Sequence, residues 1–322
     1  MDRLLLRRIG TGIATLTAMT LMAATPVEAA PATPPDVLPP PTQALTEVTG
    51  FGANPTGLQM FLYEPDHVRR HPAVVVVLHY CTGSGPGMFS GTQFASLADL
   101  YGFLVVYPSA PREGHCFDVS SPGALTHNGN SDPVGIVSMV TYLVRNRHAD
   151  RHRVYVTGWS SGAMMTNVLL GDYPDVFAAG SAVMGVPFGC FATTDGSMWN
   201  STCAHGEIIK TPDEWGDLVR GASRFHGKRP PMQLWHGTAD TILFYPNFGE
   251  EIKQWTNVLG APLTPAFTDH PQPTWTHSVY TDRRGGVVVD TYSIEGETHS
   301  LPFNQPGLAQ RAVALFGLTE RH

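Results

Sequence analysis

From residue 45 onward, short apolar runs alternate with longer amphipathic stretches. Ala73–Leu78, Phe103–Tyr107, Val154–Thr157, Ala179–Met184, Met232–Trp235 and Val287–Ile294 are rich in Val, Leu and aromatic residues, and each reads as a strand. Val74–Leu78 has no polar alternation, as in a strand covered on both faces of a parallel sheet. Between these runs, Pro133–His148 sets Ile136, Val140, Leu143 and Val144 on one helical face, with Asp132 as the predicted N-cap and Pro133 at the first helical position. Thr211-Pro212-Asp213-Glu214 matches a capping box opening a helix toward Arg220. Strands linked by crossover helices predict an α/β architecture, a mostly parallel sheet with helices on both faces.

The two ends of the chain change this picture only at the N-terminus. Arg3, Arg7 and Arg8 precede an uncharged stretch from Ile9 to Val27, and Val27-Glu28-Ala29 has the small-x-small form of a cleavage site, so residues 1–29 read as a signal peptide. The stretch is too rich in Gly, Ala and Thr for a membrane anchor, and no later apolar run approaches the roughly 20 residues of a membrane helix. Residues 30–44 are Pro-rich and predict an extended lead-in. The remainder, 45–322, has no second linker or internal repeat and is expected to form one domain and act as a monomer. The net charge of −7, with 20 basic against 27 acidic residues, argues against a nucleic-acid partner.

Export changes what the cysteines mean. Cys81, Cys116, Cys190 and Cys203 are an even set, which in an oxidising compartment predicts two disulfides. The short Cys190–Cys203 loop favours that pair and leaves Cys81 with Cys116, although spacing alone leaves all three pairings open. A zinc site is disfavoured by the lack of Cys-x-x-Cys or a compact His pair.

The chemistry centres on Gly158-Trp159-Ser160-Ser161-Gly162, a Gly-x-Ser-x-Gly sequence between a predicted strand and a helix signal over Ala163–Leu170. That context is a nucleophile elbow, whose tight turn lifts the serine hydroxyl into solvent. A hydroxyl needs an imidazole to take its proton and a carboxylate to orient the imidazole. In the α/β-hydrolase order the acid follows and the histidine comes last. Asp240 stands in the loop after Met232–Trp235, and His299 in the loop after Val287–Ile294, so these are the predicted acid and base. His236 falls too early in that order and reads as a brace for the acid loop. His277 is the other competing imidazole, and Asp282, Asp290 and Glu295 are weaker acids because none directly follows an apolar strand. The loop after Ala73–Leu78, His79 to Gly85, lacks Gly-x-Gly-x-x-Gly and a Lys before Ser or Thr, so it is no nucleotide cradle. It supplies the Cys81 N–H as a predicted oxyanion donor, with the Ser161 N–H as the second.

At these residues the chain resembles the secreted acetylxylan esterases of carbohydrate esterase family one, within the wider group of feruloyl esterases and polyhydroxybutyrate depolymerases. The resemblance runs from roughly Thr46 to Leu318. It is carried by Ser160–Val168, by Asp118-Val119-Ser120-Ser121-Pro122 with Thr126-His127-Asn128-Gly129, by Trp235-His236-Gly237-Thr238-x-Asp240, and by Lys253-Gln254-Trp255-Thr256-Asn257-Val258. It implies an α/β-hydrolase fold, and it assigns nucleophile, acid, base and oxyanion donors to Ser160, Asp240, His299, Cys81 and Ser161. Three positions depart from the family: Tyr80 where Gly is expected, Trp159 where a small residue is expected, and Phe117 where Trp is expected.

The reading is a secreted serine carboxylesterase that removes acetyl groups from xylan, with an acylated plant polysaccharide as partner and no metal or organic cofactor. Tyr80, Trp159, His127 and Asn128 are the expected substrate contacts. Trp159, Trp199, Trp255 and Trp275 are candidates for sugar stacking, with core packing the simpler role for each. Feruloyl esterase, polyhydroxybutyrate depolymerase and an extracellular acyltransferase with the same triad are the alternatives within catalysis. A non-catalytic wall-binding protein would have no use for all three triad positions.

Overall fold

The computed structural model describes residues 38–300, 305 and 307–320. The expected signal peptide and most of the Pro-rich lead-in lie outside those residues. The strands are β1 (Thr46–Val48), β2 (Gln59–Tyr63), β3 (Val74–Leu78), β4 (Leu104–Ser109), β5 (Val154–Trp159), β6 (Ala179–Val183), β7 (Met232–Gly237), β8 (Phe267–Asp269), β9 (Trp275–Thr281) and β10 (Val287–Ile294). The helices are α1 (Gly85–Gly91), α2 (Phe94–Tyr101), α3 (Asp132–Asn146), α4 (Ser161–Asp172), α5 (Ser201–Ala204), α6 (Pro212–Ala222), α7 (Pro246–Leu259) and α8 (Leu308–Leu315).

All the strands belong to one sheet, in the order β1-β2-β4-β3-β5-β6-β7-β10-β9-β8. The inner strands from β4 to β10 pair in parallel, and antiparallel strands close both edges. Every residue of β3 is buried. Successive side chains of a strand point to opposite faces, and β3 divides accordingly. Val74, Val76 and Leu78 join a core with residues of α3, α4, α6 and α7. Val75 and Val77 join a second core with residues of α1, α2 and α8. The absence of polar alternation in the sequence is thus explained by helices on both faces. From β3 the chain passes to β4 on one side and to β5 on the other, so β3 and β5 flank a switch point, where open α/β sheets leave a crevice at the strands' C-terminal ends.

The strands read from the sequence are all present, with ends shifted by a few residues. Those it did not indicate, β1, β2, β8 and β9, are the antiparallel additions at the edges. The capping box forms as expected, with Thr211 Oγ1 accepting from Glu214 N–H and a Glu214 carboxylate oxygen accepting from Thr211 N–H. One cap is corrected. Ser131, not Asp132, is the N-cap of α3, and Asp132 lies within the first turn. Its buried carboxylate accepts from Arg112 Nη1 at 2.6 Å and Nη2 at 2.5 Å, and from Asp118 N–H at 2.7 Å. A buried carboxylate needs a charged partner, and that requirement outweighs capping.

Candidate active site

Ser160 stands where β5 turns into α4, at φ 53° and ψ −115°. A non-glycine residue in this region carries strain of about 1–3 kcal/mol and persists only where its surroundings enforce it. Here the enforcement is steric. A Cβ on Gly158 would overlap the backbone of Gly162 and come within 2.8 Å of Leu78 Cβ, and a Cβ on Gly162 would strike the Leu78 carbonyl. Strand, turn and helix approach so closely only because both positions lack side chains. The turn is fastened by Ser160 N–H, which donates to Val183 O at 3.0 Å, and by Ser160 O, which accepts from Met164 N–H at 2.9 Å.

The loops after β7 and β10 reach Ser160 together. These strands are parallel neighbours, and their loops are linked by Thr238 N–H to Ile294 O, Ala239 N–H to Glu297 O and Gly296 N–H to Thr238 Oγ1. His299 Nε2 lies 2.9 Å from Ser160 Oγ, and Nδ1 lies 2.7 Å from Asp240 Oδ2. A carboxylate only accepts, so the proton sits on Nδ1 and leaves Nε2 to accept from the serine hydroxyl.

Asp240 is held from every side. Its Oδ1 accepts from the amides of Ile242 and Leu243, at 2.9 and 3.0 Å. His236 Nε2 is 3.2 Å from its Oδ2 and 2.8 Å from the Leu243 carbonyl, so this imidazole braces the acid loop. Burial alone would raise the Asp240 carboxyl. Hydrogen bonds from His236 and His299 outweigh burial and hold it well below the usual carboxylate range.

Cys81 follows β3 and is joined to Cys116, and Cys190 is joined to Cys203. The peptide before Cys81 is fixed by a residue that sequence reasoning passed over. His79 is buried, and desolvation pushes its pKa down to about 4, so it is neutral. Its Nε2 accepts from Ala110 N–H at 3.0 Å, and its Nδ1–H donates to Tyr80 O at 2.7 Å. Gly83 N–H donates to the same carbonyl at 3.0 Å. In a trans peptide the following N–H points the opposite way, so these bonds set the direction of the Cys81 amide. Ser161 N–H lies in the first turn of α4, where helix amides have no partner within the helix. Among the described residues no backbone carbonyl accepts from either amide.

Ser160, His299 and Cys81 open on a cleft of about 460 Å³ whose apolar wall includes Tyr80, Trp159, Val183, Met184, Trp199 and Ile242. A larger cavity of about 660 Å³, lined by Arg220, Lys228 and Arg284, adjoins the starting ends of β7 and β10, at the far end of the sheet from the triad. Two expected substrate contacts are corrected. The His127 ring bonds Asp172 O through Nδ1 and packs on Tyr173, and Asn128 N–H donates to Tyr173 Oη. These partners lie at the C-terminal end of α4, which at 1.5 Å per residue is about 18 Å from the end that carries Ser160. His127 and Asn128 therefore anchor a loop and do not line the cleft. Trp255 and Trp275 are fully buried core residues. Val183, Met184 and Ile242 carry no polar chemistry, and their place in the cleft follows only from the end of β6 and from the loop after β7. Among the described residues, no cluster of three or more His, Cys, Asp or Glu has the arrangement of a metal site.

The profile of the esterase PHB depolymerase family matches residues 58–200. Acetylxylan esterase A of Aspergillus ficuum is 42% identical over 267 residues, covering 81% of this chain and 86% of that protein. The chain belongs to the acetylxylan and feruloyl esterase family. The esterase is also 45% identical to feruloyl esterase B of Thermothelomyces thermophilus over 271 residues, covering 83% of this chain and 92% of the relative. Its structure is similar to that of acetyl xylan esterase from Aspergillus awamori, with a TM-score of 0.81 at 39% identity, covering 86% of this chain and all of the other. The esterase is a carboxylic ester hydrolase of the α/β-hydrolase fold.

Proposed function

We propose that this esterase removes acetyl groups from acetylated xylan outside the cell, through an acyl-enzyme on Ser160. The observation that carries the reading is the unbroken chain from Ser160 Oγ through His299 to Asp240, with spacings of 2.9 and 2.7 Å, opening on a cleft. Ser160 Oγ attacks the ester carbonyl as His299 Nε2 takes its proton. The tetrahedral oxyanion lies against the Cys81 and Ser161 amides, each such donor being worth about 3 kcal/mol to the charged state. The ester C–O bond breaks, and His299 returns its proton to the departing sugar hydroxyl. Water then attacks the acyl-enzyme by the same route and releases acetate. Asp240, kept ionised by its donors, stabilises the imidazolium and fixes its tautomer.

Trp159 and Tyr80, where the family has smaller residues, narrow the acyl side of the cleft and favour a short acyl group. Two disulfides support an oxidising destination, in keeping with the signal peptide read from residues 1–29. Feruloyl esterase activity is the second reading, favoured by the apolar cleft wall and the 45% identity to feruloyl esterase B. Acetylated xylan, feruloylated arabinoxylan and polyhydroxybutyrate assayed side by side decide between them. Acetate as the dominant product is expected, whereas faster ferulate release overturns the acetyl assignment.

A further inference from the structure

Exposed large apolar side chains are few among the described residues, and two of them stand at the cleft beside Ser160 with a third next to them in the chain. Trp199 is 45% exposed, Ile242 48% and Met198 38%. Trp199 and Ile242 line the cleft, while Met198 lines a separate groove of about 310 Å³. Met198 and Trp199 thus form a ridge between two concavities. Grouped exposed apolar surface of this kind marks ligand grooves.

The ridge is built on a braced loop. Residues 190–203 are closed by the Cys190–Cys203 disulfide. Asn200 Nδ2 donates to the carbonyls of Cys190 and Ala192, Thr193 Oγ1 donates to Ser197 O, and Thr193 N–H donates to Ser120 O. The Trp199 ring stands edge-on to Phe191 at 5.2 Å and 90°, and Phe191 is itself buried. The indole is therefore set in orientation while nearly half of it remains open. The groove beyond Met198 is more polar than the cleft, lined by the hydroxyl residues Ser120, Ser121, Thr193 and Thr194 together with Arg112, which is paired with Asp132, and Asp118, which accepts from the Ser121 and Ser131 hydroxyls. It is close to the reacting centre, because the same stretch of chain places Phe117 N–H on Ser161 Oγ at 2.8 Å.

An apolar platform beside the nucleophile followed by a hydroxyl-lined trough matches a chain of sugar rings, which offers apolar ring faces and polar edges in turn. We propose that Trp199 stacks on the sugar ring bearing the scissile ester and that the polysaccharide crosses Met198 into the groove at Ser120, Ser121, Thr193 and Thr194, a second carbohydrate subsite. This rests on the reading of the substrate as an acylated polysaccharide. Trp199 then acts in binding the leaving group and takes no part in bond making.

The test compares wild type, Trp199→Ala, Trp199→Phe and Met198→Ser on acetylated xylan and on ethyl acetate, whose leaving group has no ring to stack. Trp199→Ala is expected to raise KM on xylan about tenfold, the scale of losing a well-packed aromatic anchor, with kcat changed much less. The ratio of xylan to ethyl acetate kcat/KM should fall by a similar factor. Trp199→Phe should restore most of the ratio, and Met198→Ser should lower it about threefold on polymer but not on a singly acetylated monosaccharide. An equal loss on both substrates in Trp199→Ala, or an unchanged KM on xylan, overturns the platform. If Trp199→Ala does not fold, the ratios in Trp199→Phe and Met198→Ser decide, and wild-type values in both overturn it. Failure of the wild type to release acetate from any acetylated sugar refutes the substrate reading instead.

Discussion

Two imidazoles in this protein lie between polar partners at nearly equal distances, yet they do different work. His299 has Asp240 at 2.7 Å on one nitrogen and the Ser160 hydroxyl at 2.9 Å on the other. His277 has Asp269 at 2.7 Å and Asp290 at 2.6 Å, a carboxylate on each nitrogen. With two acceptors, both ring nitrogens must donate, so His277 is held as the cation. The hydrogen bond to Asp290 raises its pKa most, burial opposes this, and the bond to Asp269 and the two negative charges add to the rise. One face of the ring stacks on Tyr292 at 4.5 Å. His277 fastens three strands, since its partners sit on β8 and β10 while it belongs to β9. Replacing one carboxylate by a hydroxyl thus makes the difference between an imidazole locked as a cation and one whose Nε2 can accept a proton.

Breaking the site at the hydroxyl gives the largest expected effect. Ser160→Ala should lower kcat by about a million-fold if the triad acts as a unit. A folded variant that loses less than tenfold refutes the assignment, and labelling by a fluorophosphonate should vanish with it. Asp240→Asn comes next, at about ten-thousand-fold, because the amide allows the wrong tautomer at His299 while leaving the geometry in place. Steady-state kinetics with p-nitrophenyl acetate reads both.

The comparison sharpens when pH is varied, since the two imidazoles require opposite protonation states. In the proposed mechanism His299 must be neutral, so that Nε2 can take the serine proton. The clamp needs His277 charged. Its folded pKa is raised above the unfolded value, so its contribution is fully present below about pH 6.5 and is lost as pH rises through the raised folded value. His277→Gln should therefore cost about 2 kcal/mol at pH 5.5, the scale of charge-assisted hydrogen bonds, and progressively less toward pH 9. Thermal unfolding of both proteins across that range measures it. A stability gap that widens with pH would mean the ring is neutral in the fold.

What the sequence revealed of this contrast follows from where each group lies. Strand β3 was legible because helices cover both its faces, so its apolar run is unbroken. The meeting of Ser160, His299 and Asp240 was legible because parallel strands end on one rim, so that a strand followed by a short polar loop locates a residue in space. The clamp was not, because β8 has three residues, β9 mixes Trp275 and Tyr280 with polar side chains, and the pairing of His277 with Asp269 and Asp290 depends on strand register. His127 and Asn128 belong to a motif whose family resemblance suggested the cleft, but no local pattern shows that their loop docks on the far end of α4. The same limit hid His79, whose role depends on Ala110, the residue just past the end of β4.

The mildest test divides the clamp itself. The Asp290 side chain is 11% exposed, and its second oxygen accepts from Gln233 Nε2 at 2.8 Å, whereas the Asp269 side chain is 45% exposed. Solvent screens the outer pair, so Asp269→Asn should cost only about 0.5 kcal/mol, lowering Tm by about 1 °C. That small loss should disappear in 1 M salt, where the screening length shrinks to about 3 Å. The inner pair is protected from such screening, so the His277→Gln penalty should survive the same salt. If salt erases both penalties alike, the inner carboxylate is no more sheltered than the outer one, and His277 holds the sheet edge only as an ordinary surface ion pair does.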